Sequence, residues 1–345
     1  KHIWHWRDWI IESLNEDKPY DRMLVEMLAA DEVAPEDADA VRATGFLARH
    51  YFHERDQWMD NVVKHTSQGF LGITVGCAKC HDHMYDPISQ RDYYAMRAIF
   101  ERYSVRTDRV PGVLDTAKNG IPRAYDNTLA VQTWLFESGD ERRPLKDEAI
   151  PAGVPASLGG SFVVEPVSLP LLAVKPERRE FVKRDLIAQA EKVVSDAKNE
   201  VALQAADSKL ATLKALLEIE ALEDGGRKDS EEWKTAAKKL VELQRQAAVS
   251  DSRWKLSTGE AAVTKADAAI AKAKEDQNKA AETKAIKSLT SAKKTVAAAQ
   301  NSLATAEKAL AAEATTKYEP RKQGIYLDKS NGSRLAFAKW LNARE

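Results

Sequence analysis

The segment GITVGCAKCHDHMYDPISQRDYY, residues 72–94, contains the only two cysteines of the 345-residue chain. Cys77 and Cys80 stand three positions apart, and His81 follows directly. In a c-type haem site, two cysteines at this spacing form thioethers to the haem, and the next histidine supplies the proximal nitrogen to iron. We therefore expect one covalently attached haem c, bound through Cys77 and Cys80, with His81 as the iron ligand.

Two other interpretations of the cysteine pair stay open at this point. A zinc site normally has four ligands, and without a second cysteine pair it would have to recruit Asp82, His83 or Asp86. A disulfide between cysteines three apart is typical of a redox device beside a βαβ pattern, and the surrounding apolar spacing is helical instead. We favour the haem because the five-residue pattern is improbable by chance in a chain with 2 cysteines and 7 histidines.

The sixth iron ligand would decide between an electron carrier and a catalyst. His83 and Met84 are too close to His81 along the chain to reach the opposite haem face, and we expect His83 to fix the local loop by hydrogen bonds. Candidates on other segments are His65, Met59, Met96, His50 and His53. His65 and Met59 share one predicted helix but point to different sides of it, so they cannot both face the iron.

Segments of different composition follow one another. Residues 1–126 contain all the histidines and methionines, and their helically spaced apolar residues predict a mainly α-helical haem domain. Residues 127–175 are rich in Pro, Gly, Val and Leu, and LAVQTWLF and SFVVEPV alternate as short strands do, which predicts a small β-element. Residues 318–345 resemble the opening of a following helical domain, truncated by the end of the sequence.

Residues 176–317 predict a long antiparallel coiled-coil arm, because Ala, Lys, Glu, Gln and Leu dominate them. Two series recur every seven residues and resemble a and d positions: Leu289, Val296, Leu303 and Leu310, with Ala292, Ala299 and Ala306. We expect the leucine series to face a helix near residues 186–217. We also expect the chain to reverse at Gly225–Gly226 and a shorter helix, capped by Ser230, to occupy residues 230–249.

Charge and hydropathy exclude some partners. Lys and Arg number 52 against 53 Asp and Glu, so no large field of one sign would attract nucleic acid or an anionic membrane. No apolar run approaches the roughly 20 residues of a membrane span. The N-terminal sequence also lacks the pattern of a signal peptide. We expect neither a nucleic-acid partner nor a membrane span in this chain.

The chain resembles the planctomycete-type cytochrome c-like proteins, exported proteins catalogued as paired domains of unknown function. The resemblance lies in residues 7–32, 43–52, 70–101, 136–160, 164–170 and 333–345. The family motif usually reads Cys-x-x-Cys-His-Asp-His-Lys-Phe-Asp-Pro. This chain keeps most of it but has Met84 and Tyr85 in the Lys and Phe places.

The resemblance implies an extracytoplasmic protein whose export signal is encoded upstream of Lys1, with links to redox metabolism or polysaccharide breakdown. We expect a c-type haem protein that transfers electrons to, or supports, a partner enzyme. One alternative is an enzyme whose five-coordinate haem acts on a small oxidant or an organic substrate. The other is an assembly protein, in which the arm forms homo- or hetero-oligomers and the haem is structural.

Overall fold

The computed structural model describes residues 1–343. The chain forms two compact units, one comprising Lys1–Val182 together with the segment from Gln323 onward, the other Lys183–Lys322. Each unit has its own hydrophobic core. The predicted mainly helical class is confirmed, with pairs of short antiparallel strands. Within the described residues, no helix combines the length and apolar character that crossing a membrane requires.

The described residues contain twelve α-helices and six strands. The helices are α1 Trp4–Asn15, α2 Tyr20–Val33, α3 Ala38–Arg42, α4 Gly45–Ala48, α5 Arg55–Leu71, α6 Gln90–Phe100, α7 Leu171–Val174, α8 Glu180–Ser195, α9 Glu200–Asp224, α10 Glu231–Glu275, α11 Lys279–Leu310 and α12 Ser333–Asn342. The strands are β1 Tyr103–Asp108, β2 Ile121–Asp126, β3 Thr133–Phe136, β4 Pro144–Ile150, β5 Val167–Ser168 and β6 Lys329–Ser330.

The core of the first unit is built by side chains from several helices. Trp9 of α1, Leu28 of α2, Met59 of α5 and Phe100 of α6 are fully buried in it. The start of α6 is fixed by a capping box, in which Ser89 and Asp92 exchange side-chain and backbone hydrogen bonds. This cap orients the helix that follows the cysteine segment.

The strands differ in part from the sequence prediction. β3 covers the second half of LAVQTWLF, which confirms that part of the predicted strand, and it pairs antiparallel with β4. SFVVEPV contributes only its last residue, Val167, to β5, which pairs with β6. The antiparallel pair of β1 and β2, with Tyr103 opposite Asp126, lies inside residues 1–126, where helices and loops were predicted. Because most of β2 is buried, it lacks the alternation that identifies a half-buried strand.

The C-terminal segment packs with the first unit, whereas the sequence predicted the start of a further domain at residues 318–345. From Gln323 onward the described chain belongs to the first unit, and α12 packs against α2 and α6. Phe337 and Trp340 of α12 are part of the core cluster of that unit. A ten-residue helix with such an apolar face is stable here because it completes an existing core. Residues 344 and 345 lie outside the described chain.

The second unit consists of long helices that reverse direction at two turns. Ser208 and Thr212 of α9 bond to Ser250 and the Leu243 carbonyl of α10, which shows that these helices are antiparallel. The predicted reversal at Gly225–Gly226 is confirmed, as is the cap, since the Ser230 side chain accepts from the Trp233 amide. The helix that follows is not short, because α10 continues unbroken to Glu275.

The helix facing α11 is α10, not the segment near residues 186–217. A second reversal causes this: Gln277 has a φ of 51°, and Asn278 caps α11. Small residues spaced by seven are buried along both helices, Ser252, Gly259, Ala266 and Ala273 in α10 with Ala285, Ala292, Ala299 and Ala306 in α11. The leucine series is less buried than these alanines, and Leu310 is 39% exposed. Small side chains therefore form the centre of this helix contact.

Candidate haem site

The cysteines lie on a short turn between α5 and α6. Gly72 ends α5 in the left-handed conformation, with a φ of 67°, which glycine adopts without strain. Residues Gly76–Lys79 then form one turn of 3₁₀ helix. Val75 and Ala78 are fully buried, whereas Cys77 and Cys80 are exposed and free. The apolar residues thus anchor the turn in the core while both thiols remain accessible.

Charged and polar groups of α5 and α6 fix the turn at Lys79. Its ammonium group donates to Asp56 at 2.8 Å. Its main-chain carbonyl accepts from the side-chain amide of Gln90 at 2.9 Å and from the Tyr94 hydroxyl at 3.2 Å. Arg97 also donates to Asp56. Burial raises the pKa of the Asp56 carboxyl, but hydrogen bonds from Lys79 and Arg97 outweigh it and hold that pKa below its ordinary value. The turn is therefore supported from both neighbouring helices.

His81 follows the turn with an exposed ring. Its Nδ1 atom lies 2.7 Å from the main-chain oxygen of Asp82. Because a carbonyl only accepts, this contact assigns the ring proton to Nδ1. The Nε2 atom then carries the free lone pair, which is the arrangement of a metal-ligating histidine whose other nitrogen bonds a carbonyl.

His83 and Asp82 fix the loop that follows. The Nδ1 atom of His83 accepts from the amides of Tyr85 and Asp86 at 3.3 and 2.9 Å, and the His83 amide donates to Ile88. The Asp82 carboxylate accepts from the backbone amide of Gln90 at 2.7 Å. His83 has the loop-fixing role that the sequence predicted, and its Nδ1 is occupied.

Gly139 is a residue of the site that the sequence analysis missed. Its φ is 76°, and a Cβ atom at this position would lie 2.7 Å from the Cys80 sulfur and 3.3 Å from Lys79. A side chain here would therefore collide with the thiol. The sequence gives little indication of this contact, because Gly139 lies 59 positions after Cys80 in an ordinary polar turn.

Two large apolar side chains project into solvent beside the cysteine turn. Met84 is 73% exposed and Tyr85 is 86% exposed. These are the two positions where the chain departs from the Lys and Phe of the family motif. Both side chains therefore leave apolar surface exposed near the motif.

The methionine candidates for the sixth ligand are enclosed in the protein core. Met59 of α5 and Met96 of α6 are both fully buried, and both belong to the main hydrophobic cluster of the first unit. The His81 ring, in contrast, is exposed at the surface. Neither the Met59 sulfur nor the Met96 sulfur is therefore presented at the surface where the motif lies.

The histidine candidates lie elsewhere on the unit. Asp56 contacts Lys79 of the motif, so it lies on the face of α5 that is turned toward the motif. His65 follows nine residues later, and at ~100° per residue it lies about 180° away, on the opposite face of the helix. The His65 ring stacks on buried His50, with ring centroids 4.9 Å apart. Burial lowers the pKa of His50 to about 3. His53 is exposed beside Glu54. The structure does not bring His65 to the face of α5 that contacts the motif.

The residues of the turn are compatible with a covalently attached haem. Cys77 and Cys80 are not bonded to each other. Within the described part of the chain, no group of three or more His, Cys, Asp or Glu side chains is arranged to hold a metal ion, so the zinc interpretation gains no support. Two accessible thiols and a histidine with Nε2 free are what haem attachment requires.

Comparison with known proteins gives one match. A family model described as PSCyt2, a protein of unknown function (DUF1549), matches residues 1–105. No curated protein and no solved structure matches the chain. The N-terminal third of the chain, which includes the cysteine turn, is therefore similar to a planctomycete cytochrome-like domain.

Proposed function

We propose that the chain is a c-type haem protein in which Cys77 and Cys80 hold the haem and His81 ligates its iron. The observation that carries this proposal is the state of the His81 ring beside two exposed, free thiols. Its Nδ1 contacts the Asp82 carbonyl, which leaves Nε2 as the ligand atom. When bound, the haem would supply one-electron redox chemistry.

The role we propose is electron transfer to, or redox support for, a partner protein or enzyme. The exposure of Cys77, Cys80 and His81 supports it, since a cofactor attached at the surface is accessible to a redox partner. Exposed Met84 and Tyr85 offer apolar area for covering one side of the haem. In this role the chain's own residues hold and orient the cofactor and keep part of it away from water.

A second candidate function is an enzyme with an open sixth iron position. It is favoured by the placement of the candidate ligands, because Met59 and Met96 are enclosed in the core and His65 lies on the far side of α5. Binding of carbon monoxide distinguishes the two functions. Rapid binding to the reduced protein supports the enzyme, and no binding supports the six-coordinate carrier.

The proposal includes an extracytoplasmic location, with an export signal encoded before Lys1. It also includes an assembly role for the second unit, whose long helices would support a homo- or hetero-oligomer. An upstream gene segment without an export signal would contradict the location. A strictly monomeric full chain, measured by light scattering, would contradict the homo-oligomer.

The experiment that tests the haem proposal is a pyridine haemochrome assay on the exported protein, purified from cells with a c-type haem maturation system. We expect one haem per chain with the spectrum of two thioether bonds. The double variant Cys77→Ala/Cys80→Ala is expected to contain no covalent haem. Equal haem content in the two proteins would contradict the proposal.

A further inference from the structure

A buried cluster of charged side chains joins the C-terminal segment to the rest of the first unit. Asp31 and Glu32 of α2, Asp126 of β2 and Arg334 of α12 are at most 5% exposed. Ser330 of β6 is 1% exposed and lies among them. Three carboxyl groups thus share the buried guanidinium group of Arg334. None of these residues belongs to the candidate haem site.

The Ser330 hydroxyl oxygen is close to two carboxyl oxygens at once. It lies 2.9 Å from Oε1 of Glu32 and 2.8 Å from Oδ2 of Asp126. The Gly332 amide donates to the same hydroxyl oxygen at 3.3 Å. A serine hydroxyl has one hydrogen and can donate to only one of the two carboxyl groups. The other short oxygen–oxygen contact therefore requires a hydrogen supplied by a protonated carboxyl group.

The three carboxyl groups differ in burial more than in donors. Asp126 faces Ser330 at 2.8 Å, the Asn331 amide at 3.0 Å and Arg334 at 3.2 Å, and Glu32 faces Ser330 at 2.9 Å, Arg334 at 3.1 Å and the Leu335 amide at 3.2 Å. Arg334 makes its two shortest contacts, 2.6 and 2.7 Å, with Asp31. The Glu32 side chain is the most deeply buried, 0% exposed against 2% for Asp126 and 4% for Asp31, and burial disfavours the charged form.

Burial and the neighbouring charges favour the proton on Glu32. Burial raises the pKa of Glu32 to about 8, Arg334 and Ser330 oppose the rise, and Asp31 and Asp126 increase it. Two further groups face the cluster from β1 and β2. Tyr103 is close enough to act on Arg334, and Arg123 interacts with Asp31. Both act on neighbours of Glu32 rather than on Glu32 itself.

We propose that Glu32 carries a proton at neutral pH and donates it to Ser330, which donates in turn to Asp126, and that this shared proton fastens β6 and α12 to α2 and β2. The cluster is thus a proton-binding latch that weakens as the pH rises through neutrality. Without this proton, only one hydrogen serves both short contacts of Ser330. Keeping the proton bound becomes less favourable as the pH rises, so the C-terminal segment opens more readily until the buried Glu32 itself ionises.

The direction of the pH dependence follows from linkage. A Glu32 exposed by opening titrates at its ordinary pKa of 4.5, whereas the buried group retains its proton to about pH 8. Opening therefore releases one proton between these two values. The opening equilibrium rises up to about tenfold per pH unit within this window and levels off above it.

The test is amide hydrogen exchange of residues 333–342 in the full chain, followed from about pH 6 to about pH 9 and corrected for the intrinsic rate. We expect wild-type protection to fall up to about tenfold per pH unit as far as about pH 8. In Glu32→Gln, whose amide can donate to Ser330 but cannot titrate, this fall is expected to disappear. Glu26→Gln is the matched control, because Glu26 is a buried glutamate of the same helix, paired with Lys18 and Arg22. It is expected to keep the wild-type slope.

A wild-type protection that does not change with pH, or a slope that persists in Glu32→Gln, would overturn the proposal. Infrared spectroscopy provides a second measurement should the variant fail to fold. The wild-type protein is expected to show the carbonyl band of a buried protonated carboxyl group at neutral pH, and this band is expected to vanish near pH 8. Its absence at neutral pH would also overturn the proposal.

Discussion

The Nδ1 atom of His81 lies 2.7 Å from the main-chain oxygen of its neighbour Asp82. This contact requires the proton to be on Nδ1 and leaves Nε2 free to ligate. The side chain is therefore set in the tautomer of an iron ligand by its own backbone. The turn before it is held through Lys79 and the buried Ala78, so His81 and the two thiols share one fixed segment.

The first prediction concerns the iron ligand. Replacing His81 with Ala is expected to keep covalent haem on the chain, because both thiols remain, but to shift the haem absorption, because the proximal nitrogen is lost. Absorption spectra of the purified oxidised and reduced proteins check this. His2→Ala is the control, since His2 is not among the candidate ligands and its ring lies 3.0 Å from the main-chain oxygen of Thr116. An unchanged spectrum in His81→Ala would show that another residue ligates the iron.

The second prediction concerns Asp56, which binds both Lys79 and Arg97. Asp56→Asn is expected to lower the free energy of unfolding by about 1.5–3 kcal/mol at neutral pH, because charge-assisted hydrogen bonds at a largely buried site are lost. Urea denaturation measures it. Glu148→Gln, in the exposed pair with Arg91, is expected to have a smaller effect.

The Asp56 effect has a defined pH dependence. Because the folded pKa of Asp56 is below its ordinary value, its stabilisation is present above the unfolded pKa and is lost as the pH falls through the folded one. The difference between wild type and Asp56→Asn is therefore expected to shrink in acid. A difference that does not change down to about pH 3 would contradict this account of the turn.

The third prediction concerns buried His50. Its folded pKa of about 3 lies well below the ordinary 6.5, so the unfolded chain binds a proton that the folded one does not. Stability should fall as the pH drops from about 6.5 toward about 3, by up to about 1.4 kcal/mol per pH unit from this group. His50→Phe is expected to remove that contribution, measured by urea denaturation at several pH values. Exposed His53→Phe should keep the wild-type slope. An equal slope in His50→Phe would contradict the prediction.

The fourth prediction concerns the contact between α10 and α11. A Cβ atom at Gly259 would lie 2.9 Å from a methyl group of Val296, so Gly259→Leu is expected to force the helices apart and cost about 1–3 kcal/mol. Thermal unfolding followed by circular dichroism measures it. Ala261→Leu, at an exposed position of the same helix, should change stability little. Equal effects of the two substitutions would contradict the close contact.

Local sequence signals predicted the features that depend on neighbouring residues. Ser230 caps α10 and the glycine pair reverses the chain, because caps and turns are determined within a few residues. The second reversal at Gln277 was missed, since no glycine marks it. Asn278, three positions before Ala281, was the available signal for a cap.

Features that depend on distant residues could not be predicted in this way. Charged side chains are usually exposed, yet the Arg334 side chain is buried against Asp31, 303 positions earlier. Gly139 near Cys80 and Asp56 near Lys79 are contacts of the same kind. The motif identified Cys77, Cys80 and His81 as the candidate attachment residues, but their support comes from helices that only the folded chain brings together.

The measurement that tests the central claim most directly is the mass of the denatured, exported chain after acid–acetone extraction of loosely bound haem. The account predicts a mass increased by one haem, localised by proteolysis to the peptide that contains Cys77 and Cys80. The single variants Cys77→Ala and Cys80→Ala should each retain at most one thioether. A wild-type chain of haem-free mass, purified from cells that mature other c-type haem proteins, would contradict the account.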